Sequence, residues 1–305
     1  MKKAVAFLDV LGFSNHVYED LEETEKILHD INELIDVSVT SKFNTRKISD
    51  KNLYKELKNY TLDSVDFVLP VSDCIFLGSN ELNQMIEQIS VFLCRILEKT
   101  LHDFEMNNYQ KSFPVIMRGG ISYGKVKKVK SSFHVDKVKG DFFNIIGIPV
   151  VRAVRLEEVH GSGPNLFLTD DVMSQLSEEL KKFVSVSERY INDTAGNISY
   201  FLWPRYFFFK NNLKNDFSSQ FDFTCEKVLR PIMRLYFKYK NEKYSEYYKN
   251  LACITIEAFS KIYLLTEENQ QENKMYSQIK IKKIIDAVIL ESSSEREAFY
   301  RSIYE

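Results

Sequence analysis

A chain of 305 residues with 44% hydrophobic content can bury one large core, or one core with a smaller appendage, which excludes a disordered or fibrous protein. Lys and Arg number 41 against 43 Asp and Glu, so the formal net charge is −2 and no whole-molecule field draws the chain to nucleic acid or anionic lipid. A small-molecule partner is expected.

Cys74, Cys94, Cys225 and Cys253 lack C-x-x-C spacing, which points to reduced thiols and away from a disulfide framework or structural zinc. The five histidines share no metal-ligand spacing and are assigned nothing. At the start, MKKAVAFLDVLGF puts two lysines before an apolar run, but Asp9 interrupts it and no small-residue cleavage site follows. No run reaches the ~18 apolar residues of a membrane span, and the expectation is a soluble, cytoplasmic protein.

Ala4 to Asp9 is an apolar run closed by a carboxylate and Gly12, the pattern of a buried strand that delivers Asp9 to a loop. From Leu21 to about Thr40, Ile27, Leu28, Ile31, Leu34 and Ile35 recur at helical spacing. Tyr60–Val71 and Cys74–Leu77 read as a hairpin with Ser72-Asp73 at its tip. Ser79 or Asn80 is placed to cap a helix whose face carries Met85, Ile89, Phe92, Leu93, Ile96 and Leu97. Pro114–Val126 follows as a strand, giving the order βαββαβ.

That order predicts an α+β, ferredoxin-like sheet with helices on one face and the other face free for a substrate or second subunit. Residues 125–139 alternate Lys with Val as an exposed arm; Gly147–Glu158 reads as a helix, Asn165–Leu168 as a strand and Asp170–Lys182 as a helix. Trp203 is expected to anchor the core near the end of this unit. A composition shift toward Lys, Glu, Tyr and Asn places a boundary near residue 212, so 1–212 forms one domain and 213–305 a helical C-terminal subdomain.

Four segments carry the chemistry: Phe7-Leu8-Asp9-Val10-Leu11-Gly12-Phe13, Val71-Ser72-Asp73, Arg118-Gly119-Gly120-Ile121-Ser122-Tyr123-Gly124, and Asn144 through Arg155-Leu156-Glu157. In order and spacing they resemble the class III adenylate and guanylate cyclases, whose signature runs F-x-D-x-x-G-F, G-D, R-x-G-I-x-x-G and A-x-R-L-E. The resemblance covers roughly residues 4 to 205. It implies a class III cyclase core in which the ribose 3′-oxygen attacks its own α-phosphate and pyrophosphate leaves. Two hard cations, Mn²⁺ or Mg²⁺, suit Asp9 and Asp73 better than any His or Cys set, with the Val10 carbonyl implied by the family's geometry. The loop Leu11–Asn15, with Phe13 as its implied phosphate-loop residue, has backbone amides placed to cradle phosphates.

Arg155 matches the family's transition-state arginine, donated across a homodimer, and its rigid fork suits growing phosphate charge. The family's Asn four residues earlier is Val151 here, with Arg152 or Asn144 as possible substitutes. Purine-specific relatives carry Lys or Glu where this chain has Leu69, and Asp or Thr where it has Asn144, so a purine substrate is disfavoured. The F-L-D-x-L-G-F opening, the S-D tip and the R-G-G-I-S-Y-G strand look most like the bacterial pyrimidine cyclases of the Pycsar antiphage systems. The resemblance implies UTP converted to cyclic UMP, with CTP and cyclic CMP as the alternative, and a separate effector that reads the product. Arg118 is the first candidate to accept a base carbonyl and Tyr123 the second; a structural ion pair is the competing role for Arg118. The rival reading is a catalytically silent nucleotide-binding module that keeps the same fold.

Overall fold

The computed structural model describes residues 1–35, 65–106, 114–135, 138–159, 163–187, 198–210, 222, 225–242, 244–266, 279, 282 and 301. The boundary expected near residue 212 lies outside them, as do residues 36–64 and most of the chain beyond 266.

The first half is built in the predicted order. Strand β1 (Lys2–Val10) leads through α1 (Phe13–Glu19) and α2 (Leu21–Ile35) to the hairpin β2 (Val65–Val71) and β3 (Cys74–Ser79), then α3 (Leu82–Met106) and β4 (Met117–Lys125). Sheet order β2-β3-β1-β4, antiparallel throughout, is the split βαβ arrangement of a ferredoxin-like α+β core. Ser79 does not cap α3 itself: its hydroxyl accepts from the Glu81 amide at 2.8 Å, one residue before the helix.

Alternation on β1 separates two layers. Ala4, Ala6, Leu8 and Val10 join the main core with Met85, Ile89, Phe92 and Leu93 of α3. Val5 and Phe7 are buried on the opposite side, outside that cluster. That face is not free, contrary to the sequence expectation. Helix α4 (Ile148–Val159) lies on β4 and β1, at a point where Gly120 has no side chain: a Cβ there would meet the Ala153 carbonyl oxygen at 2.4 Å. Gly120 is therefore what lets helix and strand approach.

The expected arm is a separate two-stranded hairpin, β5 (Lys127–Val135) with β6 (Val138–Ile146). Past α4 the sheet grows by β7 (Leu166–Leu168), parallel to β4, then β9 (Ile198–Phe201) and β8 (Val184–Ser187). The single helix expected over 170–182 is two short ones, α5 (Asp170–Met173) and α6 (Glu178–Lys181). Ser177 caps the second by accepting from the Leu180 amide, a local bond that competes with helix continuation.

Trp203 is 2% exposed and donates through Nε1 to the Pro164 carbonyl at 2.7 Å, so it anchors the core as expected. After α7 (Arg205–Lys210), a π-helical turn at Cys225–Leu229 runs into α8 (Arg230–Lys238), followed by α9 (Ser245–Thr266). These C-terminal helices share one continuous apolar core with the sheet. No described helix is long and apolar enough to cross a membrane.

Candidate active site

Asp9 sits one residue before the end of β1, directly opposite Cys74 on β3 and Arg118 on β4. Opposed residues of an antiparallel sheet share a face, so all three side chains project to the side on which α4 lies. Asp73 closes the β2–β3 turn, whose Ser72 adopts a left-handed φ of 57°. The Val10 amide donates to the Asp73 carbonyl at 3.3 Å and ties that turn to β1. The two sequence-predicted carboxylates are thus brought together. Ligand atoms of Asp9, Asp73 and Cys74 all lie within 4.8 Å of one another, a donor set able to hold a cation.

Burial is the largest influence on Asp9 and pushes its carboxyl above the ordinary range. The Cys74 thiol and the Arg118 guanidinium pull it back, and the charge of Asp73 pushes it up again. The thiol donates to Asp9 Oδ1 at 3.3 Å, and burial beside two carboxylates raises it well above the usual thiol range. Cys74 is therefore a proton-bearing partner of the acids.

Arg118 Nη2 lies 3.5 Å from Asp9 Oδ2 and is ion-paired with Glu157 of α4, which is buried. Through Nη2 the guanidinium engages both carboxylates, linking strand, strand and helix at one point. One step along the sheet, Leu69, Phe76, Phe7 and Gly120 form the next row on the same face, with Phe7 and Phe76 rings 4.8 Å apart. Leu69 thus belongs to an apolar strip beside the acids, with no polar group to read a purine edge.

Arg155 is exposed on α4, and Ile148 and Val151 share its stripe at i, i+3, i+7 spacing, 68% and 50% exposed. Arg152, four residues after Ile148 and three before Arg155, borders the same stripe and pairs with Asp171 at 2.7 Å. Phe13 is 8% exposed and packs into the core, so only its backbone is available to a ligand. In its loop the Leu11 amide is bonded to Ile116 and the Asn15 amide to Gly12, which leaves Gly12, Phe13 and Ser14 as the amides without a bond among the described residues.

Tyr123 and Asn144 are not brought to the acids. Tyr123 lies five positions along β4 from Arg118, roughly 17 Å at strand spacing, and on the other face. It lines a separate cavity of about 570 Å³ with Lys2, Lys125, Pro149 and Arg152. Asn144 is exposed on β6, paired with Val129 across the hairpin. A second acid group, Asp30 and Glu33 beside His29 on α2, is already engaged by Lys99 at 2.6 and 3.2 Å.

Sequence reasoning missed two members of the site. Cys74 meets Asp9 only through the β1–β3 register, which sets the two side by side on one face. Glu157 is the last residue of the A-x-R-L-E match but receives no role from it, since nothing in one sequence tells a buried helix carboxylate from a solvated one.

No protein-family model matches the chain, and no curated protein matches it. Among solved structures, the chain is similar over 66% of its length to the adenylyl cyclase CyaB from P. aeruginosa (16% identity, 93% of that chain, TM-score 0.38). It is similar over the same share to the catalytic core of a rhodopsin-guanylyl cyclase with converted specificity in complex with ATPalphaS (9% identity, 94% of that chain, TM-score 0.42). A third is an adenylate cyclase from Trypanosoma brucei in its monomeric state (12% identity over 66% of this chain and 90% of that one, TM-score 0.41).

Proposed function

We propose that the chain is a nucleotide cyclase of the class III type, converting UTP, with CTP as second choice, into a 3′,5′-cyclic monophosphate and pyrophosphate. The observation that carries the reading is the meeting of Asp9 and Asp73 at the ends of paired strands, with ligand atoms within 4.8 Å in a site partly withdrawn from water.

Asp9 and Asp73, with the Val10 carbonyl, are the residues that would hold two divalent cations, Mn²⁺ or Mg²⁺; oxygen donors of this kind fit such hard ions. Divalent cations held there would supply acidification of the ribose 3′-hydroxyl and neutralisation of the pyrophosphate charge. Arg155 acts on the charge that grows at the α-phosphate. Because Arg155 projects from α4 into solvent among exposed Ile148 and Val151, it serves the acids of a second copy in a two-fold homodimer.

The pyrimidine preference rests on Leu69 and Asn144 standing where purine-reading relatives carry charged or hydrogen-bonding partners, and the apolar strip of Leu69, Phe76 and Phe7 supports it. Arg118 is the candidate for the base carbonyl, a role that competes with its pairing to Glu157 and Asp9, whereas Tyr123 is set aside because it stands five residues along β4 on the other face. The messenger role, a separate effector, antiphage defence and a cytoplasmic setting follow from the sequence resemblance to Pycsar cyclases. A silent nucleotide-binding module is the rival reading, favoured by one observation: Arg118 already supplies positive charge beside Asp9.

The test is purified protein with ATP, GTP, CTP and UTP separately under Mn²⁺, products resolved by chromatography and mass spectrometry. A cyclic pyrimidine monophosphate is the expected product. A cyclic purine overturns the substrate assignment, and triphosphate binding without turnover selects the silent module.

A further inference from the structure

The C-terminal helices, which no part of the cyclase reading requires, end against the turn that follows Asp9. That turn pivots on Gly12 at φ 78°, a left-handed conformation, and a Cβ added there would meet the Tyr244 ring at 3.2 Å and the Tyr247 ring at 3.5 Å. Tyr244 stacks on His16 of α1 with ring centroids 5.4 Å apart and planes 9° apart, and its hydroxyl donates to Glu19 Oε1 at 3.1 Å. One aromatic side chain therefore touches the turn, the middle of α1 and its last residue.

Tyr244 is itself held. It packs edge-on against Tyr239 at 6.3 Å, and Tyr239 stacks on Tyr248 at 5.6 Å. It immediately precedes α9, whose later residues are fastened to the far edge of the sheet: Tyr200 donates to Glu257 at 2.9 Å, and Lys261 donates to the Val184 carbonyl at 2.8 Å. The ring is thus the end of an anchored 22-residue helix.

We propose that Tyr244 is a positioning residue for the active site, and that the C-terminal helices form part of the catalytic unit by bracing the Asp9–Gly12–α1 turn in its nucleotide-binding conformation. The inference rests on the cyclase reading only for what the turn binds. The turn is also held by Phe13 in the core and by the Leu11–Ile116 bond, but a seven-residue helix is unstable alone, and Tyr244 is the side chain that spans the glycine and both His16 and Glu19 of α1. Loosening the turn removes binding that ground and transition states share, and so raises KM more than it lowers kcat.

The test uses the full chain, comparing wild type with Tyr244→Ala and Tyr244→Phe. Amide hydrogen exchange over residues 11–19 is expected to accelerate at least tenfold in Tyr244→Ala, with β1 and β4 still protected. Tyr244→Phe, which keeps the ring and loses only the bond to Glu19, is expected within about threefold of wild type. On whichever triphosphate the wild type turns over, Tyr244→Ala is expected to raise KM about tenfold with kcat changed less than twofold. Unchanged exchange and unchanged KM overturn the brace while leaving the cyclase reading intact. A wild type that turns over no triphosphate removes the cyclase reading, and the exchange arm alone then decides the brace. Should Tyr244→Ala fail to fold, Tyr244→Leu and Tyr247→Ala replace it, with exchange in α1 equal to wild type in both counting against the proposal.

Discussion

The two faces of β1 answer to different demands, though they alternate residue by residue. Ala4, Ala6, Leu8 and Val10 pack into the main core and include no group that needs a hydrogen bond. On the other face Val5 and Phe7 are buried under α4, and then Asp9 is held among Cys74, Asp73 and Arg118 at the edge of that cover. The first face stabilises. The second holds a partly desolvated carboxylate whose charge burial disfavours even with Arg118 beside it.

The sharpest way to break this comparison is to separate catalysis from packing. Asp9→Ala and Arg155→Ala are each expected to lose at least about a thousandfold in turnover, in line with removing a charge-stabilising group from such a site. Mixed together, the two inactive variants are expected to regain activity, because one intact site forms when the acids come from one copy and the arginine from its partner. Turnover of the mixture no higher than either variant alone would discard the shared site.

On the core face, Leu8→Ala is expected to cost about 2–5 kcal/mol in denaturant unfolding, since Leu8 is fully buried. Turnover per folded molecule should hardly change. A loss below about 1 kcal/mol would mean the core relaxes around the cavity.

Gly120→Ala probes the seam between the two faces. Its new Cβ would be 2.4 Å from the Ala153 carbonyl, so α4 must lift, at about 1–3 kcal/mol. Lifting α4 also draws Glu157 from Arg118, so turnover should fall together with stability. A stable, fully active variant would show that the helix seat has no part in the site.

Asp9→Asn removes the charge and keeps the shape. Because burial holds the Asp9 carboxyl above its ordinary range, its ionised form destabilises the fold at neutral pH, and the melting temperature is expected to rise by a few degrees while turnover is lost. A fall in melting temperature would assign Asp9 a net structural role through Arg118.

The smallest effect is at His16, which burial holds below its usual value while Glu19 opposes the shift. Its neutral form is the one the fold favours. The associated stability is therefore present above about pH 6.5 and declines as pH falls below it. His16→Phe keeps the stack on Tyr244 and should flatten that acid-side decline in a melting series. An identical decline in the variant would place its origin elsewhere.

Much of the α+β core was legible because periodicity and turn chemistry are local. Apolar alternation on β1, the hairpin around Asp73 and the helical spacing of α3 each follow from a few adjacent residues, and the βαββαβ order then fixes which strand ends are neighbours. What misled was also physical. The helix expected over 170–182 breaks at Ser177 because a side-chain cap competes with the backbone, and the face expected to be free is covered because Gly120 admits α4. The placement of Tyr123 on the opposite face from Arg118, five residues along the same strand, was already implicit in strand alternation and rise.

The sequence by itself determined an α+β core in which Asp9 and Asp73 end neighbouring strands, because strand periodicity and a tight turn depend on contiguous residues. Only the tertiary structure decided that Arg118 is engaged by Asp9 and Glu157, that Cys74 joins the acids, and that Tyr244 closes on Gly12 from more than two hundred residues away. Those contacts pair groups distant in the chain, whose meeting is set by how helices seat on the sheet and how burial changes the charge each group can carry.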